Sequence, residues 1–246
     1  MKKHFVRTSN DQRFRTALQQ RESRGAREAN LIVVHGRAGD GKTRTLHNWA
    51  STPNALGAQA VMLTADPSWT PHRMMLLLAE RLGVVPRGDW QSTVGEHIAD
   101  GEVPLVIDEA GFALTNNAAC LERLRSITDK SGTALVLVVM ERDMARLRQH
   151  DQITSRATLC PFHPATVADV RAACSALAEV GIADELAERI HRESTGRMRQ
   201  VLEAINVVEQ VGQAANKTQL GSTDLGDYAL CADFATPVAK RRRGAA

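Results

Sequence analysis

The stretch Leu31-Ile32-Val33-Val34-His35-Gly36-Arg37-Ala38-Gly39-Asp40-Gly41-Lys42-Thr43 decides the fold. An apolar, β-branched run (Leu31–His35) leads into the pattern G-x-x-x-x-G-K-T, and a stretch of helical period, Thr45–Ala50, follows. Strand, glycine-rich loop and helix in that order form the context in which this pattern cradles a nucleoside triphosphate. The glycines leave room for backbone N–H groups to converge on phosphate oxygens, and the helix N-terminus adds a partial positive charge. The predicted ATP-binding set is Gly36, Arg37, Ala38, Gly39, Asp40, Gly41, Lys42, Thr43 and Arg44. Within it Lys42 is placed to bridge the β- and γ-phosphates, and Thr43 to offer its hydroxyl to Mg²⁺.

Further along, Val103-Pro104-Leu105-Val106-Ile107-Asp108-Glu109-Ala110 is a second apolar run that ends in two adjacent carboxylates. The C-terminal ends of the strands are where ligands bind in open α/β sheets. Asp108 is therefore expected to help hold Mg²⁺, and Glu109 to orient the attacking water or accept its proton. Taken alone, a strand ending in Asp-Glu is as readily the start of a loop; the P-loop upstream gives it its meaning.

Three more short runs rich in Val, Ile and Leu complete the pattern: Ala60–Thr64, Ala134–Val139 and Thr158–Cys160. Helical stretches separate them, as in a parallel sheet covered on both faces. Thr70-Pro71 reads as an N-cap with proline at the first helical position, and Gly83 ends the helix that carries Met74, Leu78 and Leu82. Another helix is expected from about Asn117 to Thr128.

After residue 165 only helices are predicted. Thr166-Val167-Ala168-Asp169 resembles a capping box opening a helix to about Val180, a short helix covers Ala183–Arg192, and a third carries Met198, Val201, Leu202, Ile205 and Val208 on one face. The expected fold class is α/β: a P-loop domain with a five-stranded parallel sheet flanked by helices, followed by a small all-helical lid. The expected divisions are a basic N-terminal helix or linker at 1–28, with Ser9 and Asn10 as capping candidates, the nucleotide-binding subdomain at 29–164, the lid at 165–215, and a flexible basic tail at 216–246.

The 246 residues are 43% hydrophobic, 24% charged and 4% aromatic. That suits one large domain, or one with a small appendage, at roughly 100–200 residues per domain, and excludes a mostly disordered or collagen-like chain. The apolar runs are too short to cross a bilayer. The basic start lacks an apolar segment behind it, so no signal peptide is expected. Four cysteines without a CxxC pair read as reduced structural thiols in a cytoplasm. Charge is uneven: residues 1–28 hold eight Lys/Arg against three acids and Lys240–Arg243 adds four, which leaves 29–239 at −6 within a total of +3. Such basic ends attract nucleic acid by a salt-sensitive, sequence-independent term, or simply keep the ends solvated.

Three further positions have two readings each. The strand Ala134–Val139 should lie beside the Asp108 strand, where its end would supply a polar sensor of the γ-phosphate; here it reads Val139-Met140-Glu141, so either Glu141 substitutes or the sensor is missing and hydrolysis is slow. Arg156, ahead of the last short strand, is an arginine finger reaching a neighbouring subunit's nucleotide or an ordinary surface arginine. Arg199, at the start of the third lid helix after Gly196, reports the nucleotide state to the lid or is merely solvated. His35 is expected to be a packed residue. Trp49, Trp69 and Trp90 are read as core or rim, and Arg123, Arg125 and Lys130 as a solvated helix face more readily than a DNA-facing one.

P-loop, Asp-Glu strand, Arg156 and a helical lid opening with Gly196-Arg197-Met198-Arg199 occur in the order of the AAA+ ATPases. Val33 to Thr43, Leu78-Ala79-Glu80-Arg81-Leu82-Gly83, and Leu105 to Ala110 with Leu121-Glu122-Arg123-Leu124-Arg125 carry the resemblance, which spans about residues 8–212. Within that family the sequence is most similar to the transposition branch: the B proteins of Mu-like phages and the target-selecting ATPases of bacterial transposons. The resemblance implies an ATP- and Mg²⁺-binding ATPase of the bacterial host cytoplasm. Such a protein oligomerises as a ring or helical filament on double-stranded DNA, delivers that DNA to a transposase and stimulates it. A helicase-loader adaptor, or a regulatory switch acting through protein contacts, is the alternative. Three departures stand out: residues 1–28 are too short for the helix-turn-helix domain of the Mu protein, the sensor position is apolar, and the C-terminal region is short and ends in a basic run.

Overall fold

The computed structural model describes residues 1–2, 4–23, 30–54 and 57–231. The chain divides into two units, Arg7–Ala165 and Met1–Val6 together with the chain from Thr166 onward. The basic run Lys240–Arg243 and residues 24–28 of the N-terminal segment lie outside the described residues.

In the first unit, helix α1 (Ser9–Ser23) precedes β1 (Leu31–Gly36), α2 (Lys42–Ala50), β2 (Val61–Thr64), α3 (Pro71–Leu82), α4 (Trp90–Asp100) and β3 (Leu105–Asp108). A 3₁₀ turn (Ala110–Leu114), α5 (Thr115–Ser131), β4 (Leu135–Met140), a second 3₁₀ turn (Glu141–Asp143), the short helices α6 (Met144–Leu147) and α7 (Asp151–Thr154), and β5 (Thr158–Pro161) follow. The five strands form one parallel sheet in the order β2-β3-β4-β1-β5. Each strand predicted from an apolar run is present within a residue or two of its expected bounds.

Because the strands are covered on both faces, alternate residues feed two cores. Leu31, Val33, Leu105, Ile107, Leu135, Leu137 and Val139 pack with α3, α4 and α5. Ile32, Val34, Val106, Val136, Val138 and Cys160 pack with Phe14 and Ala17 of α1 and Leu46 of α2. The parallel arrangement brings Gly36, Asp108 and Met140 to the same edge of the sheet.

Local signals explain most helix ends. Thr70 caps α3 by accepting from the Arg73 N–H at 3.2 Å, Pro71 opens it, and Gly83 closes it at φ 69°. Helix α4 is absent from the sequence reading, because its buried stripe is only Val94 and Ile98 with Gly95 between them. Helix α5 begins near its expected start, but Asn116, Asn117 and Ala118 are left-handed, which offsets the first turn from the rest. Trp69 is 2% exposed and belongs to the core.

The second unit contains α8 (Val167–Leu177), β6 (Gly181–Ile182), α9 (Asp184–Ser194), α10 (Met198–Ala214), β7 (Gln219–Leu220) and α11 (Ser222–Leu225). The capping box is real: Thr166 Oγ1 accepts from the Asp169 N–H at 3.1 Å, and Asp169 Oδ2 accepts from the Thr166 N–H at 2.9 Å. Residues 216–231, read from sequence as the beginning of a flexible tail, are instead folded here. β7 pairs with β6, Leu220, Leu225 and Leu230 are buried, and Arg189 of α9 donates to the carbonyls of Gly226 and Tyr228 at 2.7 Å each. The composition of that segment hid three well-spaced leucines among Gly, Ser and Thr. Among the described residues no helix is long and apolar enough to cross a membrane.

Candidate functional site

The P-loop joins β1 to α2. Gly39 and Gly41 have φ of 90° and 88°, a region that a side chain would strain, and Gly41 is the residue immediately before α2. Gly36 faces a different constraint: a Cβ there would lie 2.7 Å from the Phe162 carbonyl oxygen. Asp40, 2% exposed, closes the turn by accepting the Arg37 N–H on Oδ2 at 2.9 Å.

Lys42 is 6% exposed. Its ammonium donates to the carbonyls of Gly36 at 3.0 Å and Arg37 at 2.7 Å, and its third direction meets the Met140 sulfur at 3.7 Å. A thioether is a weak acceptor, so one donor of the ammonium is poorly satisfied and available to an anion in the loop. Burial lowers the Lys42 pKa below the usual lysine value, while the nearby carboxylates of Asp40, Glu109, Asp108 and Glu141 work against that shift.

Thr43 Oγ1 donates to Asp108 Oδ2 at 2.8 Å, and Asp108 Oδ1 accepts the Glu109 N–H at 2.9 Å. Glu109 itself sits in the left-handed region, φ 51° and ψ 36°, where the chain turns sharply out of β3. These residues fit a magnesium nucleotide. Mg²⁺ is commonly held by one or two carboxylates together with phosphate oxygens, not by an all-protein cage. Among the described residues there is no group of three or more His, Cys, Asp or Glu side chains that could hold a metal ion.

At the sensor position the apolar Met140 side chain contacts Lys42, and Glu141 turns aside to His35, Oε2 to Nδ1 at 2.9 Å. That bond lowers the Glu141 pKa. His35, expected to be only packed, is thus tied to the sensor segment. Arg37 and Ala38 are exposed at the loop's mouth, as is Arg44 on the first turn of α2.

Arg156 lies two residues before β5, at the N-terminal edge of the sheet, with Nη1 3.7 Å from Asp129 Oδ2. A six-residue strand is roughly 20 Å long at about 3.3 Å per residue, so Arg156 and Lys42 of one chain stand at opposite edges. Arg199 is exposed at the second position of α10, in the helical unit, following Thr195 and Gly196 at φ 50° and 70°. Arg125 is occupied by Glu122 and Asp129, and Arg123 donates to Gln91 at 3.2 Å.

Asn10 contacts the P-loop from outside the set of residues expected from the sequence. It caps nothing: it lies inside α1, 2% exposed, with its carboxamide turned onto the P-loop and the segment after β5. A polar residue that reads as a capping candidate carries no sequence signal that its partners lie 30 and 153 positions away.

A parallel sheet of order β2-β3-β4-β1-β5 with a P-loop after β1 and an Asp-Glu pair after β3 defines a P-loop ATPase fold of the AAA+ type. Residues 24–147 match the family described as AAA domain, and the chain belongs to that family. The fold is shared with the Orc1 protein of Aeropyrum pernix, solved in complex with DNA, at 18% identity and a TM-score of 0.61 over 89% of this chain and 64% of that one. It is also shared with a mutant of the RuvB protein of Thermotoga maritima, at 20% identity and a TM-score of 0.62 over 90% of this chain and 69% of that one. The chain thus spans less than two thirds of the Orc1 structure's length. No curated protein matches the sequence.

Proposed function

We propose that this protein binds ATP with Mg²⁺ at the Lys42–Thr43–Asp108 edge, hydrolyses it slowly, assembles on double-stranded DNA and presents that DNA to a transposase. The observation that carries the nucleotide reading is that Lys42 and Thr43, which open α2 after β1, meet Asp108 of the non-adjacent strand β3 at the C-terminal edge of the sheet. When bound, Mg²⁺ supplies positive charge against the phosphates. Loop amides and Lys42 would hold the phosphate oxygens, Thr43 would offer its hydroxyl to the ion, Asp108 would hold it through water, and Glu109 would orient the attacking water or accept its proton. The apolar contact between Met140 and Lys42 in place of a polar sensor argues for slow turnover.

Assembly is inferred through Arg156: it stands at the opposite edge from its own P-loop, beside Asp129, so as an arginine finger it would serve a neighbour's nucleotide and need a second copy. Arg199 would then couple the nucleotide to the helical unit. DNA as the substrate is supported by the AAA+ fold shared with the DNA-bound Orc1 protein and by the basic charge of residues 1–28; the transposase rests on the sequence resemblance. The test is ATPase rate and sedimentation with and without duplex DNA and a cognate transposase. DNA-stimulated turnover with ATP-dependent assembly is expected, and ATP-insensitive monomers indifferent to DNA would refute the proposal.

A further inference from the structure

The side chain of Asn10 makes four hydrogen bonds, all within the α/β unit. Nδ2 donates to the Asp40 carbonyl at 3.2 Å and to the His163 carbonyl at 2.7 Å. Oδ1 accepts from the His163 N–H at 3.1 Å and from Arg13 Nη1 at 2.9 Å. Two carbonyls on one side and two N–H donors on the other fix which end of the amide is which. Asn10 therefore pairs with the peptide group of His163 as a neighbouring strand would, and spends its remaining donor on the P-loop. Asp40, whose carbonyl it holds, is the residue whose carboxylate closes the loop onto the Arg37 N–H. On the other side the Phe162 carbonyl lies against Gly36, and the Phe162 N–H donates to the His35 carbonyl at 2.7 Å.

We infer that Asn10 is a positioning residue of the nucleotide site: it clamps the P-loop between α1 and the segment after β5, so that the loop holds its phosphate-ready shape before nucleotide arrives. This rests on the nucleotide reading of the P-loop given above. A loop already in its bound shape pays no ordering cost on binding, so releasing the clamp weakens affinity for the triphosphate. Because His163 lies four residues ahead of α8, the same clamp ties the loop to the connection that leads into the helical unit.

The test uses the full chain. Wild type, Asn10→Ala and Asn10→Asp are titrated with a non-hydrolysable ATP analogue and Mg²⁺ at a temperature where circular dichroism shows each folded, and thermal midpoints are measured separately. Asn10→Asp keeps both acceptor contacts but loses both donors. Each variant is expected to bind about tenfold more weakly, the scale of one or two net hydrogen bonds, with faster exchange of the Arg37 amide than in wild type. A lowered midpoint with unchanged affinity would make Asn10 merely structural and overturn the inference. Should neither variant fold, wild type decides by itself: without nucleotide, the Arg37 N–H held by Asp40 and the His163 N–H held by Asn10 must be protected from exchange, and free exchange at both overturns the clamp. If wild type binds no nucleotide, the reading of the P-loop fails instead, a different result from wild type binding and the variants binding equally well.

Discussion

Thr43 Oγ1 donates to Asp108 Oδ2 at 2.8 Å, although β4 lies between the strands that deliver them and 65 positions separate them in the chain. In the proposed site these are the two oxygens on the side of the Mg²⁺ ion. Thr43→Ala and Asp108→Asn are each expected to weaken binding of the magnesium nucleotide by tenfold or more, while leaving the much weaker binding in EDTA nearly unchanged. The double variant should lose less than the sum of the two, since the residues touch. Calorimetry with and without Mg²⁺ checks both statements.

Lys42→Ala should abolish nucleotide binding, because it removes a nearly buried ammonium whose third donor meets only a thioether. Glu109→Gln should bind normally yet turn over about 100-fold or more slowly, the usual scale for losing a general base. It should also trap an ATP-loaded assembly on DNA. Equal hydrolysis rates in wild type and Glu109→Gln would remove Glu109 from its assigned role.

For Arg156 the informative experiment mixes subunits. Arg156→Ala alone should keep nucleotide affinity and lose turnover. When Arg156→Ala subunits, with an intact P-loop, are mixed with Lys42→Ala subunits, with an intact Arg156, part of the activity should return. No recovery at any ratio would remove the assignment in trans.

Gly36→Ala places a methyl group 2.7 Å from the Phe162 carbonyl oxygen and 3.1 Å from its Cβ. Backbone has to move, at a cost of roughly 1–3 kcal/mol. A loss of unfolding free energy of that size in urea denaturation, together with weakened nucleotide binding, is expected.

Burial raises the thiol of Cys160 from 9.0 to about 12 and that of Cys174 to about 11. In the folded chain both stay protonated when unfolded thiols ionise. The stability held in these neutral groups is complete below pH 9 and drains away as pH rises, toward about 11 for Cys174 and about 12 for Cys160. At pH 8 iodoacetamide should label neither residue in native protein and both in urea, as mass spectrometry of the peptides will report. Rapid labelling of native Cys160 would contradict the packing of β5 against α1.

The sequence by itself determined the sheet, the loop and the acidic pair. Strand burial on both faces writes itself as runs of Val, Ile and Leu, and a loop that wraps phosphates needs glycine and lysine at fixed spacing. These are local requirements, so the P-loop from Gly36 to Thr43 and Asp108-Glu109 were legible. Helix α4 and the folded segment 216–231 were not, because a few apolar residues at wide spacing look like loop until something packs on them. Only the tertiary structure decided that Asn10 reaches Asp40 and His163, that Glu141 is spent on His35, and that Arg156 stands at the far edge from Lys42. Each of these depends on which chain segments lie side by side, and strand order is set by long-range packing that no stretch of local sequence records.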